Sequence, residues 1–371
     1  MTATTSSLRP RGPLAWLLSG DRPGHFLVSA LLVLLLIGLA LAPFLFPGSR
    51  ALAAAARICI FILLAASYDI MLGYTGIVSF AHTMFFGFGA YAVAILLSHG
   101  VTGWEGIILG TLLGILVASI VAAVIGLLSL RVRAIFFSMI TLAVASFAQL
   151  LATQLRDLTG GEDGLTFSVP RILSNSFRLF PDPVFGIRID GRVVTYYIVF
   201  LCTVLLFWLM LRLVNSSFGQ VLKAIRENEF RTEALGYRVV TYRTLASIFS
   251  AAIAAFAGAL MALVLRYAGP SSTLAFDIMV DILLMVVIGG MGTLYGAALG
   301  AVMIVLAQYY LQNLLQSLHD AAAAIPLAGA LLHPDRWLLW LGILFLLIVY
   351  FFPAGIIGTL RARNPRLSPP R

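Results

Sequence analysis

Thr75, Ser79 and His82 lie within eight residues of each other in an otherwise apolar and glycine-rich stretch. Hydroxyl and imidazole groups there can exchange hydrogen bonds with the polar head of a small solute. If the stretch is helical, Ser79 and His82, three apart, share one face. The plainer alternative is that His82 bonds a neighbouring helix. Phe80, Phe85, Phe86 and Phe88 read as lipid or core contacts rather than as a cage. A second group is acidic: Asp69 near the end of an apolar run, and Asp277 and Asp281 at i, i+4 on one helical face. A carboxylate at the bilayer centre costs roughly 2.5–3.5 kcal/mol, and less near an interface. These three therefore couple to ions, sit at an interface, or pair with Arg57 or Arg266. A third group, Arg226, Glu227, Glu229 and Glu233, can form ion pairs at the rim of a protein contact.

Several chemistries are excluded. Lys223 is the sole lysine and Ala224 follows it, so no G-x-x-x-x-G-K-[ST] loop exists to cradle a nucleotide phosphate. The histidines (His25, His82, His99, His319, His333) show no metal-ligand spacing. No serine occupies a G-x-S-x-G elbow. No catalytic residue, metal site or cofactor is expected. Cys59 and Cys202 lie inside apolar runs and read as small apolar side chains.

The elements that must hold these groups follow from composition. Of 371 residues, 61% are apolar and 11% charged, against roughly 25% charged in a soluble domain. No soluble interior takes up that much apolar surface, so lipid must solvate it. Apolar runs cover Phe26–Phe46, Ala51–Leu72, Ile77–Leu97, Gly106–Leu130, Ala134–Leu155, Val193–Val214, Thr244–Arg266, Asp277–Ile288, Thr293–Leu315 and Trp337–Phe352. The eighth is too short to cross alone. Lipid offers no partner to backbone N–H and C=O groups, and no strand-length alternation suggests a barrel, so all ten are helices. The predicted fold is all-α, a polytopic membrane helix bundle of about ten hydrophobic segments with broken or re-entrant helices.

With ten segments, both termini share a side. Arg9, Arg11, Arg22, Arg131, Arg133, Lys223, Arg226, Arg231, Arg238, Arg243, Arg361, Arg363, Arg366 and Arg371 fall there, fourteen in all. Six, Arg50, Arg156, Arg171, Arg178, Arg188 and Arg192, fall on the other. That excess places both termini in the cytoplasm. The net charge of +9 reflects this orientation rather than nucleic-acid binding. A competing reading is a cleaved signal peptide ending near Ala40-Leu41-Ala42, though its apolar run is long for one.

Two glycine breaks interrupt the apolar runs: Gly73-Tyr74-Thr75-Gly76 and Gly289-Gly290-Met291-Gly292. Broken helices expose backbone groups to a solute within the membrane, and paired breaks in two halves suggest inverted repeats. Tight turns and close helix packing are the alternative. Between two long spans, Val221, Leu222, Ile225 and Phe230 form one side of an amphipathic helix that stops at Gly236. Small Ala234 and Gly236 permit close approach by a partner. A helix lying flat on the bilayer is the rival reading.

Arg226-Glu227-Asn228-Glu229, followed by Glu233-Ala234-Leu235-Gly236, resembles the coupling loop of ABC importer permeases, specifically the branched-chain amino acid (LivM-type) family. Gly73-Tyr74-Thr75-Gly76-Ile77-Val78-Ser79-Phe80-Ala81-His82, continuing to Tyr91, resembles that family's early signature. Thr159 to Leu165, with Gly160, Gly161, Asp163 and Gly164, resembles its extracytoplasmic T-G-G-x-D-G-L element. Gly289 to Gly296 resembles its late glycine motif, and Phe352-Pro353-Ala354-Gly355 its closing element. The match covers roughly residues 55–360. Two departures are Arg231-Thr232, where the family commonly has small residues, and Ala81, where it commonly has Gly.

The spans and the charge count divide the chain into a cytoplasmic segment 1–25, a transmembrane domain 26–354, which the resemblance makes a permease domain, and a cytoplasmic tail 355–371. Within the domain, 156–192 is an extracytoplasmic loop and 216–243 the coupling loop. The resemblance implies a second homologous permease chain, two ABC ATPase subunits, an extracytoplasmic solute-binding protein and a small-molecule substrate, with no nucleic acid. Arg226, Glu227, Glu229, Glu233, Ala234 and Gly236 would meet the ATPase. Gly73, Thr75, Gly76, Ser79, His82, Gly289, Gly290 and Gly292 would line the translocation path. Gly160, Gly161, Asp163 and Gly164 would dock the binding protein or gate the path. Branched-chain amino acids are the default substrates, with other amino acids, urea, amides and aromatic acids left open. An autonomous secondary carrier or facilitator is the alternative, and an assembly subunit without a path a third.

Overall fold

The structure is a computed structural model, and it describes residues 26–45, 48–101, 103–128, 134–174, 177–178, 190–321, 333–352 and 355–362. The segment 1–25, the basic pair Arg131 and Arg133, most of 175–189, Pro353 and Ala354 of the closing element, and the tail beyond 362 lie outside these residues. The principal helices are α1 (Phe26–Ala40), α2 (Ser49–Asp69), α3 (His82–Ser98), α4 (Trp104–Leu128), α5 (Ala134–Gln154), α6 (Gly191–Asn215), α7 (Ser217–Glu227), α8 (Glu229–Ala234), α9 (Val239–Leu265), α10 (Phe276–Gly289), α11 (Leu294–Ala321), α12 (Trp337–Phe351) and α13 (Gly355–Ala362). The fold is a polytopic helical membrane bundle. Eight helical stretches among the described residues are long and apolar enough to cross a membrane, and α1 and α3 are shorter apolar helices.

Each apolar run became helix, with shifted ends. The eighth run gains the single turn Pro270–Thr273, and 270–289 together reach 20 residues, enough to cross. The third run does not start as helix. Residues 76–81 precede α3 as non-helical backbone, so Ser79 and His82 do not share a helical face as their spacing predicts. Hydroxyls of α5 satisfy this stretch instead of an intrahelical ladder. Ser138 Oγ donates to Val78 O (2.9 Å), and Phe80 N donates to Thr141 Oγ1 (3.0 Å).

Burial separates inner from outer helices. α2 is buried from Ala54 onward except at Arg57, and α9 along most of its length. α4 turns Ile108, Leu112 and Leu116 outward, as a lipid-facing helix does. Small residues let the inner helices approach closely. A Cβ on Gly89 would overlap the Ala255 carbonyl of α9, and one on Gly258 would overlap that of Phe86 on α3.

The small sheet of the fold joins two distant segments: β1 (Leu165–Thr166) pairs antiparallel with β2 (Tyr267–Ala268), tying the segment after α5 to the end of α9.

Candidate functional site

Both glycine breaks are real backbone features, and they meet. After α2 the chain winds through Ile70–Thr75 as a π-helix and ends in left-handed Gly76 (φ +74°). α10 ends at Gly289, and Gly290 and Gly292 (φ +112° and +84°) turn the chain into α11. Asp69, 0% exposed, bridges the two breaks: its Oδ1 accepts from Gly292 N at 2.8 Å. The other oxygen, Oδ2, is buried with no hydrogen-bond partner among the described residues. Gly73 stands one turn after Asp69, so a Cβ there would overlap both the carboxylate and Gly292 N.

The polar loop between α6 and α9 reaches this junction. Arg226 Nη1 of α7 donates to Gly73 O, and the Arg226 charge acts on Asp69. Three residues earlier on α7, Lys223 Nζ lies 5.5 Å from the centre of the Tyr74 ring. On its other side α7 buries Val221 and Ile225 against neighbours that include Val239 and Tyr242, while Leu222 joins the main core. α7 is thus anchored to α9 by apolar contacts and to the first break by two cations, and Asp69 carries the connection on to the second. Arg226, Asp69, Gly73 and Gly292 form one junction from three distant parts of the chain.

The loop differs from its sequence-based picture in two respects. One helix was expected; Asn228 splits it. Asn228 adopts an extended conformation and caps α8, its side chain accepting from Arg231 N at 2.9 Å. The break rotates the helical phase, so Phe230 is not part of the buried side. It is 85% exposed, and Leu235 is 72% exposed. Glu227, Glu233, Ala234 and Gly236 are exposed as well. Gly236 (φ +92°) ends α8 with open space around it. Glu229 pairs with Arg243 (2.6 and 2.9 Å) inside the chain. Arg226, exposed along part of its length, reaches Gly73 O with its Nη1.

The remaining sequence-derived residues are placed as follows. Thr75 is buried, its hydroxyl donating to Met71 O (2.6 Å). Ser79 Oγ accepts from Ala81 N (3.4 Å). His82, 2% exposed, bonds Ser67 of α2 through Nε2 (2.8 Å) and packs against Tyr68. His82→Ala should therefore cost about 1–3 kcal/mol of stability. Thermal unfolding of the solubilised protein checks this, and an unchanged midpoint would remove His82 from the structural core. Gly289 meets Gly296, which brings α10 and α11 together, and Gly290 faces Gly355 of α13. Gly160, Gly161 and Gly164 all have positive φ in the loop after α5, and a Cβ on Gly164 would strike Ala268. Glu162 and Asp163 are exposed beside them. Asp281 accepts from Gln308 of α11 (2.8 Å), so its direct partner is neither Arg57 nor Arg266.

The family described as branched-chain amino acid transport system, permease component, matches residues 50–349. The chain belongs to this family. It is 27% identical over 267 residues to the high-affinity branched-chain amino acid transport system permease protein LivM of Salmonella typhimurium, covering 68% of this chain and 62% of the relative. The same values of identity and coverage hold for LivM of Escherichia coli, over 274 residues. A probable branched-chain amino acid transport permease protein LivM of Methanocaldococcus jannaschii is 28% identical over 281 residues, 74% of each chain. The match thus spans less than two thirds of the length of the two enterobacterial relatives. No solved structure matches significantly.

In this permease the residue whose role the sequence did not give is Asp69, weighed as an ion-coupling, interfacial or paired carboxylate and found instead joining the two breaks. Its signal was present: a carboxylate one turn before the glycine of a break, in a run with almost no other charge.

Proposed function

We propose that this permease is the transmembrane subunit of an ABC-type importer for branched-chain or related amino acids. It forms half of the translocation path, and separate ATPase subunits hydrolyse the ATP. It sits in the bacterial cytoplasmic membrane with both termini inside. A second homologous permease chain completes the path, and an extracytoplasmic binding protein delivers the solute to the 156–192 side. The observation that carries this reading is the junction of Arg226 with Gly73, Asp69 and Gly292. Through it, a force applied to α7 and α8 reaches both helix breaks. A chain with no phosphate-binding loop of its own then has a mechanical inlet for energy released elsewhere.

In this reading exposed Phe230 and Leu235 seat in the ATPase, with Glu227, Glu233, Ala234 and Gly236 around them, and Glu229 holds α8 in place through Arg243. The glycines after α2 and α10 flex as the path opens. The Gly160–Gly164 turn, with exposed Asp163, meets the binding protein.

The test is co-purification. Phe230→Asp with Leu235→Asp should reduce ATPase association by more than about tenfold, since buried apolar anchors dominate such contacts. Both side chains are exposed, so thermal stability should hold. Solute flow that persists undiminished without any ATPase would instead favour an autonomous carrier and overturn the proposal.

A further inference from the structure

At the end of the bundle away from α7 lies a cavity of about 320 Å³, formed where α2 and α6 begin and α9 ends. Helix α2 with its π-helical extension spans 27 residues, about 40 Å, between this cavity and the Arg226 junction. Two guanidinium groups, Arg192 and Arg266, flank the cavity. No carboxylate is among its described lining residues. Arg266 is held in place: its Nη2 donates to Leu173 O (2.8 Å), and its backbone is left-handed (φ +55°). Two like charges beside one cavity attract an anion, and a carboxylate matches the planar donor fork of arginine. Beside the arginines the wall is aliphatic, with Leu52 and Leu263, and it carries two hydroxyls, Ser49 and Thr195. Thr195 Oγ1 donates to Gly191 O (2.8 Å), which leaves its oxygen lone pairs to accept from an ammonium group. Cation, hydroxyl acceptor and aliphatic wall are the three elements that recognise an aliphatic α-amino acid. The volume lies within the range of small-molecule sites, about 300–1,000 Å³.

We propose that this cavity is a solute-binding site on the permease itself, with Arg192 and Arg266 taking the carboxylate of an aliphatic amino acid, Thr195 and Ser49 its ammonium, and Leu52 and Leu263 its side chain. The proposal rests on the importer reading for its substrate class, and it adds a site at which the solute is held before it moves inward.

The full chain in phosphatidylcholine nanodiscs supplies the test, with binding of radiolabelled leucine as the readout. Isoleucine and valine should displace the label, and leucinamide, which lacks the carboxylate, should not. R192Q and R266Q should each weaken binding by on the order of tenfold. Arg192 is exposed, so R192Q keeps the test decisive even where R266Q fails to fold. Binding of another aliphatic amino acid in place of leucine, lost in R192Q, would support the site and correct the substrate. Unchanged binding in R192Q, or no binding of any aliphatic amino acid, overturns it. Retention of labelled phosphatidylglycerol that no amino acid displaces would assign the arginines to a lipid headgroup and overturn it too. ATP-driven leucine uptake by the assembled transporter is measured alongside. Its absence in the unaltered protein counts against the importer reading, while binding to the chain alone judges the cavity.

Discussion

Arg226→Gln is expected to cut ATP-driven uptake by about tenfold to a hundredfold while ATP hydrolysis by the assembled transporter continues. The guanidinium is the link between α7 and the first break, through Gly73 O, and its charge acts on buried Asp69. Loss of a hydrogen bond to a charged group costs about 1.5–3 kcal/mol, and a tenfold change in an equilibrium corresponds to about 1.4 kcal/mol. The arrangement that closes the two breaks against α7 would lose roughly that much. Movement of α7 would then no longer draw on Gly73 and Gly292. The ATPase contact proposed at exposed Phe230 and Leu235 would be left intact, so binding and hydrolysis should persist. Asp69→Asn should act in the same direction, because it removes the charge that faces Arg226 while preserving an oxygen for Gly292 N. Parallel measurement of uptake and phosphate release in proteoliposomes separates uncoupling from disassembly. Equal loss of both activities in Arg226→Gln would show that the residue holds the complex together instead of transmitting motion.

The second large effect is steric. Gly292→Ala should destabilise the solubilised protein by about 2–5 kcal/mol, from about 1–2 kcal/mol for a left-handed residue with a Cβ and about 1–3 kcal/mol for overpacking. The added methyl would meet the Gly73 carbonyl at 3.0 Å and crowd the Arg226 guanidinium, while φ stands at +84°. Gly73→Ala should behave alike, since its methyl would overlap the Asp69 carboxylate. Gly38 and Gly342 are the internal controls. No heavy atom lies within 4 Å of a Cβ at either, so alanine there should leave stability unchanged or raise it by about 0.5–1 kcal/mol through its better helix propensity. Thermal unfolding followed by fluorescence-detected size exclusion reads all four. A wild-type midpoint for Gly292→Ala would mean that the two breaks do not need to touch.

These two experiments probe the part of the molecule that local pattern could not reveal. The apolar runs were legible because the solvent imposes them: a helix that crosses lipid needs about 20 residues nearly free of charge, and the composition leaves no alternative. The glycine breaks were legible as interruptions of those runs, and the α7–α8 loop as a polar stretch between two of them. Helix phase within the loop was not. Apolar periodicity carries Phe230 onto the buried side only if one helix continues, and the Asn228 cap resets the rotation. Ser79 failed for a related reason, because hydroxyls of α5, about 60 residues away, hold its neighbours out of the helix.

What the amino-acid sequence by itself determined is the solvent of this protein, its helices, the two places where they break, and the family to which it belongs. All of these follow from composition and from the order of residues along short segments. Tertiary structure alone decided that the breaks face each other, that Asp69 binds them together, and that Arg226 reaches Gly73. The partners in that junction are 153 and 223 residues apart. No local periodicity encodes such a distance; only the packing of α2 against α10, and of α7 against the π-helical turn after α2, brings those groups within reach.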